Sequence, residues 1–161
     1  MKPGVKYLLI FLAVITLILL LLLIKNKVMP KDFKYFNYSE FDSPDAPGSG
    51  KDHMKESFIH MLDDARERAG IPFYISSGYR TASHNQQVGG EPNSSHMIGY
   101  AADISAPIAA MRKAIIKAAV AAGFKRIGEG SNFVHLDTDP NKPQYAYWQY
   151  GNQPSFNNPW A

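Results

Sequence analysis

The spacing of apolar residues changes along the chain, and each spacing predicts a different kind of element. Residues 7–24 form an apolar run of 18 residues in which Thr16 is the clearly polar member. As a helix, this run would nearly span the hydrocarbon core of a bilayer, which is about 30 Å thick. The run continues into KNKVMPKDF without a small-residue cleavage site. We therefore expect an uncleaved membrane anchor, with a cleaved signal peptide as the alternative.

Two later segments carry apolar residues at the spacing of an amphipathic helix. The first covers residues 54–69 and is followed by Gly70, a residue type that commonly ends a helix. The second follows Ser105 and Pro107, which are typical of an N-cap and of a first helical position, and it ends before Gly123. Each segment has one apolar face, so we expect both helices to pack on a common core.

Shorter apolar or alternating runs predict strands at residues 72–77, 100–105, 124–128 and 133–138. The last two runs flank EGSN and predict an antiparallel hairpin, whereas residues 78–95 predict a loop with one helical turn. The fold class that we expect is α+β: a small antiparallel sheet with helices packed on one face and long loops on the other side.

The organisation of the chain follows from these elements. We expect one domain of ordinary size, preceded by a single N-terminal transmembrane helix. The divisions are an anchor or signal segment at residues 1–30, a linker at 31–35, the folded domain at 36–150 with an irregular lead-in at 36–53, and a C-terminal tail at 151–161.

Composition narrows the chemistry that the domain can perform. The chain contains no cysteine, so disulfide bonds and thiolate metal sites are excluded, and a metal site would need His, Asp or Glu. The pI is about 9.0, but six lysines stand in residues 1–34, around the apolar run. The remainder has 11 basic and 13 acidic residues, a net charge of −2. This distribution argues against a nucleic-acid partner.

Three residues of metal-binding types stand on the predicted strands and their loops. His96 lies in NSSHMIGYAADI, and Asp103 follows seven positions later among apolar residues. His135 shares a strand face with Asp137. A His, Asp and His set with an open fourth position is typical of a catalytic zinc site. Spacing alone leaves structural roles open, because Asp103 could pair with Arg80 and His135 could be a hydrogen-bonded core residue.

Two longer stretches extend this pattern. SGYRTASHNQQVGGEPNSSHMIGYAADI, residues 77–104, is followed by RIGEGSNFVHLDTD, residues 126–139. The order S-G-Y-R, then S-x-H-x-x-G-x-A-x-D, then H-x-D closely resembles the zinc peptidases of peptidase family M15, and looks most like its subfamily A. Relatives there include D-Ala-D-Ala carboxypeptidases, vancomycin-resistance dipeptidases and phage L-Ala-D-Glu endopeptidases. The resemblance covers about residues 36–150 and implies a hedgehog- and D,D-peptidase-like fold.

The resemblance also implies roles for individual residues. It implies that His96, Asp103 and His135 bind Zn²⁺. It implies that Arg80 polarises the scissile carbonyl or holds the oxyanion, a role that suits a guanidinium beside a metal. The alternative for Arg80 is a structural ion pair.

The general base is less directly indicated. Several enzymes of the family have an acidic residue three positions before the last ligand, where this chain has Asn132. Hedgehog-type zinc domains have a Glu at a spacing comparable to that of Glu129, which is therefore our first choice, with an exposed turn acid as its alternative. Asp137 is the second choice, unless it orients a ligand histidine.

The function that we expect is hydrolysis of peptide bonds in the stems or cross-links of bacterial peptidoglycan, as a D,D- or L,D-carboxypeptidase or endopeptidase. The substrate then places the catalytic domain of a monomeric, single-pass protein on the periplasmic or extracellular side. One alternative is a phage or prophage endolysin with a signal-anchor. Another is a non-catalytic zinc domain that binds peptidoglycan or a protein partner.

Five aromatic residues are expected either to line the substrate groove or to pack in the core. They are Tyr79, Tyr100, Tyr145, Tyr147 and Trp148.

Overall fold

The structure is a computed structural model that describes residues 7, 11–16, 33–151 and 157–160. Residues 11–16 are helical. Within the described ranges no helix combines the length and the hydropathy needed to cross a membrane. Most of the predicted membrane span, residues 7–24, lies outside them.

The chain divides into two compact units, Met1–Lys31 and Asp32–Ala161. The described part of the second unit contains short helices and a five-stranded sheet. The helices are α1 (Ser49–His53), α2 (Glu56–Ala69), α3 (Ala82–Gln87) and α4 (Ala109–Ala122), with 3-10 helices at Tyr38–Phe41 and Ser95–Ile98. The strands are β1 (Ile75–Ser77), β2 (Ala101–Ser105), β3 (Arg126–Glu129), β4 (Phe133–Asp137) and β5 (Ala146–Gln149).

The sheet has the strand order β1-β2-β4-β3-β5. The first three pairings are antiparallel, as predicted, and β3 with β4 forms the predicted hairpin. The prediction of a purely antiparallel sheet is wrong, because β5 runs parallel to β3. The connection at residues 138–145 carries the chain from the end of β4 past the start of β3 to its free edge. The fold is therefore α+β with a mixed sheet.

The two longer helices pack their apolar faces against one side of the sheet. Phe58 and Leu62 of α2 and Ile115 of α4 join Val134 and Leu136 of β4 in one buried cluster. This cluster confirms the amphipathic faces that the sequence predicted.

The ends of these helices follow their capping residues. Gly70 and Gly123 terminate α2 and α4 in the left-handed conformation, with φ of 65° and 101°. The predicted start of α4 is wrong, because its N-cap is Ile108. Ser105 instead ends β2, where it pairs with Phe133.

Candidate metal centre

One row of side chains crosses the sheet and carries two of the predicted metal ligands. Ser77 pairs with Asp103, Asp103 with His135, His135 with Gly128, and Gly128 with Trp148. Directly opposite residues on neighbouring strands project to the same face. This row therefore lies on the face opposite to Val134 and Leu136, away from the helices.

His96 reaches the row from outside the sheet. It lies in the 3-10 helix Ser95–Ile98, and its main-chain N–H donates to Ser94 Oγ at 3.4 Å. Gly99 ends this helix with φ of 75°, and a side chain there would overlap the carbonyl oxygen of His53. A glycine is thus required both for the turn and for the close approach of the two backbones.

The donor atoms of the three residues form a small triangle. His135 Nδ1 lies 2.8 Å from Asp103 Oδ1 and 3.2 Å from His96 Nε2. His96 Nε2 lies 3.3 Å from Asp103 Oδ1. Donors at zinc distances of about 2.0–2.2 Å and tetrahedral angles are about 3.3 Å apart. The triangle therefore has the size of one face of a tetrahedral zinc site, and the donor set fits zinc.

The second nitrogen of each histidine is held by a partner behind the triangle. His96 Nδ1 lies 2.6 Å from the carbonyl oxygen of Gly78, and His135 Nε2 lies 3.2 Å from Asp137 Oδ2. Both partners accept a hydrogen bond, so each ring places its proton there when neutral. The nitrogen that faces the triangle is then unprotonated, as a metal ligand must be.

Burial and charged partners act in opposite directions on the pKa values of the three residues. Burial lowers the pKa of His96 below its ordinary value, although Asp103 opposes this. Burial alone would raise the pKa of Asp103, but its contacts with His135 and His96 outweigh burial, and the pKa is lowered. Burial alone would lower the pKa of His135, but Asp103 and Asp137 raise it. Asp103 is thus a carboxylate and His96 a neutral imidazole near neutral pH.

Arg80 lies beside the triangle. Its terminal NH2 nitrogen donates to Asp103 Oδ2 at 2.6 Å, and its Nε donates to Ser77 Oγ at 2.7 Å. The ion pair that the sequence left open is present, and it uses the carboxylate oxygen that does not face the two histidines. The guanidinium plane is therefore fixed next to the candidate metal position.

Glu129 does not lie at the triangle. It belongs to β3 and pairs with Val134, so it projects to the helix face of the sheet, opposite to His135. It is fully buried and accepts hydrogen bonds from Arg112 Nε at 3.0 Å and from the Tyr147 hydroxyl at 2.5 Å. Glu129 is therefore not the exposed turn acid that was its alternative, and the sheet lies between its carboxylate and the triangle. The structure thus does not bring this first choice of general base together with the three ligand candidates.

Asp137 lies next to the triangle but is fully engaged. Its Oδ1 accepts from Arg126 Nε at 2.7 Å and from the N–H of Asp139 at 3.1 Å, while its Oδ2 faces His135. Burial would raise the pKa of Asp137, but the contacts with His135 and Arg126 outweigh it, and the pKa is lowered. These are the contacts of a residue that orients His135, rather than of a free base.

The triangle opens into a cleft of about 750 Å³, and a smaller pocket of about 280 Å³ adjoins it at Arg80 and Asp103. Sequence reasoning missed three residues of the cleft wall, Glu91, Lys142 and Tyr150. All three lie in loops or beyond a strand end, where no periodic pattern indicates which way a side chain points.

The aromatic residues of β5 lie on opposite faces of the sheet. Trp148 lies on the cleft side, with its ring centroid 5.5 Å from that of His135, while Tyr147 contacts Glu129 on the helix side. Tyr79 stacks on His53 at 4.2 Å. Gly128 lies between His135 and Trp148 in the row, and a side chain there would overlap the Trp148 ring.

A buried set of three nitrogen and oxygen donors at the floor of an open cleft is the arrangement found in metal-dependent hydrolases. The comparison with protein families agrees, since the family model described as Peptidase M15 matches residues 34–137, well over half of the chain. The chain therefore belongs to the peptidase M15 family, whose members are zinc peptidases. The comparison with curated proteins found no match. The placement in subfamily A stays a prediction.

Proposed function

We propose that this protein is a zinc-dependent metallopeptidase that hydrolyses peptide bonds in bacterial peptidoglycan, as a carboxypeptidase or an endopeptidase. The observation that carries the proposal is the triangle of His96 Nε2, Asp103 Oδ1 and His135 Nδ1, with its edges of 2.8–3.3 Å. Membership of the peptidase M15 family supports the reaction type.

These three residues would hold the zinc ion. When bound, zinc acts as a Lewis acid that polarises a carbonyl group, and it favours the formation of a nucleophile at neutral pH. The protein keeps the ligands oriented through Gly78, which holds His96, and through Asp137, which holds His135. Arg126 in turn holds Asp137, so the support extends to β3.

Arg80 stabilises the negative charge that develops on the scissile carbonyl oxygen. Its side chain is 15% exposed, so the guanidinium reaches the cleft while its two hydrogen bonds fix its plane. A pre-oriented cation of this kind contributes most where water is largely excluded.

We assign the role of proton acceptor to Glu91. It lines the cleft five positions before His96, in the segment that follows Gly89 and Gly90. The other cleft carboxylates of the described residues are Asp103, a ligand candidate, and Asp137, which is held by Arg126 and His135. Glu91 is exposed, so its carboxylate is open to solvent.

Peptidoglycan is the substrate that the sequence resemblance implies, and the shape of the site is compatible with it. A cleft of about 750 Å³ accommodates several residues of an extended peptide. This substrate lies outside the cytoplasmic membrane, so we propose that residues 7–24 anchor a monomer whose catalytic domain faces the periplasm or the exterior. The bond that is cut depends on cleft residues outside the shared motifs.

A second candidate function is zinc-dependent recognition of peptidoglycan or of a protein partner, without cleavage. Asn132 favours it, because this residue replaces the acid of related enzymes and lines the smaller pocket next to Arg80. An amide side chain cannot accept a proton as a general base.

Digestion of purified peptidoglycan by the full-length protein separates the two functions. The reaction is run with added zinc and with chelator, and the products are identified by mass. His135→Ala removes a ligand candidate, and His53→Ala is the matched control, since His53 is exposed and does not line the cleft. We expect zinc-dependent products from the wild type and His53→Ala only. Bound zinc without products in the wild type would favour recognition.

A further inference from the structure

We propose that Lys142 binds a carboxylate of the substrate and makes the enzyme selective for peptides that carry one near the cleaved bond. This inference rests on the proposed function and specifies its substrate class.

The position of Lys142 places its charge next to the metal centre. The residue lies in the connection between β4 and β5, lines the cleft, and has a side chain that is 23% exposed. Its Nζ donates to Ser95 Oγ at 3.0 Å. Since Ser95 directly precedes His96, the ammonium group is held close to a ligand candidate.

The charge of Lys142 is not consumed by a carboxylate hydrogen bond. Lys142 forms an ion pair with the buried Asp139, but Asp139 Oδ2 is 3.8 Å from Nζ, beyond hydrogen-bond distance. Asp139 already accepts from the Ser95 hydroxyl at 3.1 Å and from the N–H of Asn141 at 2.9 Å. An ammonium group has three donors, so Lys142 can donate a second hydrogen bond to a group in the cleft.

The other two cations of the cleft wall differ in this respect. Arg80 donates to Asp103 at 2.6 Å, and Arg126 donates to Asp137 at 2.7 Å. Within the described residues of the cleft wall, Lys142 is therefore the cation that donates no direct hydrogen bond to a carboxylate. A charge-assisted hydrogen bond to a carboxylate is stronger in a partly desolvated cleft than in bulk water.

A peptidoglycan stem with lysine as its third residue offers two sources for this carboxylate. One is the C-terminal carboxylate of the stem, and the other is the free α-carboxylate of its D-glutamate residue. Four synthetic stem pentapeptides, with each of these two groups either free or amidated, distinguish the sources. The kcat/KM of the zinc-loaded, full-length protein is measured on all four.

We expect amidation of one of the two carboxylates to lower kcat/KM at least about 10-fold, mainly through a higher KM. Lys142→Met should remove this discrimination, and Lys142→Arg should retain most of it. Lys117→Met is the matched control, because Lys117 is an exposed lysine of α4 that does not line the cleft. Equal losses for Lys142→Met on all four peptides, or no discrimination by the wild type, would overturn the proposal.

Binding of the same peptides, measured by calorimetry, keeps this inference separate from the proposed function. If the wild type cleaves none of the four, the peptidase proposal fails on these substrates. A preference for the acid over the amide that disappears in Lys142→Met would still support the carboxylate site, and equal binding would overturn it. Zinc content and melting temperature are compared in each variant, with Lys142→Gln as a second neutral substitution.

Discussion

Glu129 and His135 project to opposite faces of the same β-hairpin. His135 pairs with Gly128 and faces the cleft, whereas Glu129 pairs with Val134 and faces the helices. The acid that the sequence suggested for proton transfer is thus part of a buried network with Arg112 and Tyr147. This network connects β3 to α4 and to β5.

Removal of Glu129 should therefore affect stability more than chemistry. Glu129→Ala leaves the buried guanidinium of Arg112 without its carboxylate, and breaking such a pair costs about 3–5 kcal/mol. We expect this loss in the free energy of unfolding, measured by urea denaturation. Under conditions where the variant is folded, zinc binding and the pH dependence of turnover should match the wild type. An unchanged stability together with a large loss of kcat would return Glu129 to the chemical step.

Removal of the Glu91 carboxylate should affect turnover more than stability, in contrast to removal of Glu129. Glu91→Gln keeps the size of the side chain but removes the proton acceptor, so kcat should fall about 10²- to 10⁴-fold. Zinc affinity and unfolding free energy should change little, because Glu91 is exposed. Glu67→Gln, an exposed acid of α2, serves as the control. Wild-type turnover in Glu91→Gln would exclude this residue as the base.

Replacement of Asp137 should lower the affinity of the protein for zinc. Asp137→Asn weakens the hold on His135 Nε2 and leaves Arg126 without its ion pair. Loss of such an orienting partner costs about 10- to 100-fold in metal affinity. Competition with a chromogenic chelator measures this constant. An affinity equal to that of the wild type would mean that Asp137 does not orient the ligand.

Zinc should stabilise the folded protein. A ligand that binds only the folded state at 100 times its Kd adds about 2.7 kcal/mol, so the melting temperature should rise with zinc and fall with chelator. His135→Ala should abolish this response, while His53→Ala should retain it. A response in His135→Ala equal to that of the wild type would place the zinc elsewhere.

The sequence predicted the elements that periodicity defines. The amphipathic spacing located α2 and α4, and strand alternation placed His135 and Asp137 on one face of β4. The order of the motifs also indicated which three residues come together, and their donor atoms do meet.

The remainder depends on tertiary contacts that no local pattern encodes. The sequence predicts Glu129 in a turn, whereas β3 continues through this residue and directs its side chain to the helices. The position of β5 beside β3 depends on the pairing of the two strands, because residues 146–149, AYWQ, do not alternate between apolar and polar side chains. Lys142 lines the cleft because of the course of the irregular connection at residues 138–145, which no periodic pattern predicts.

His96 is the ligand candidate that does not belong to the sheet. An ion shared by His96, Asp103 and His135 would cross-link the 3-10 helix Ser95–Ile98 to two strands, closing a loop of the chain. Ser95, which accepts a hydrogen bond from Lys142, is adjacent to His96. One short helix would then join the metal ligands to the wall of the cleft that carries Lys142.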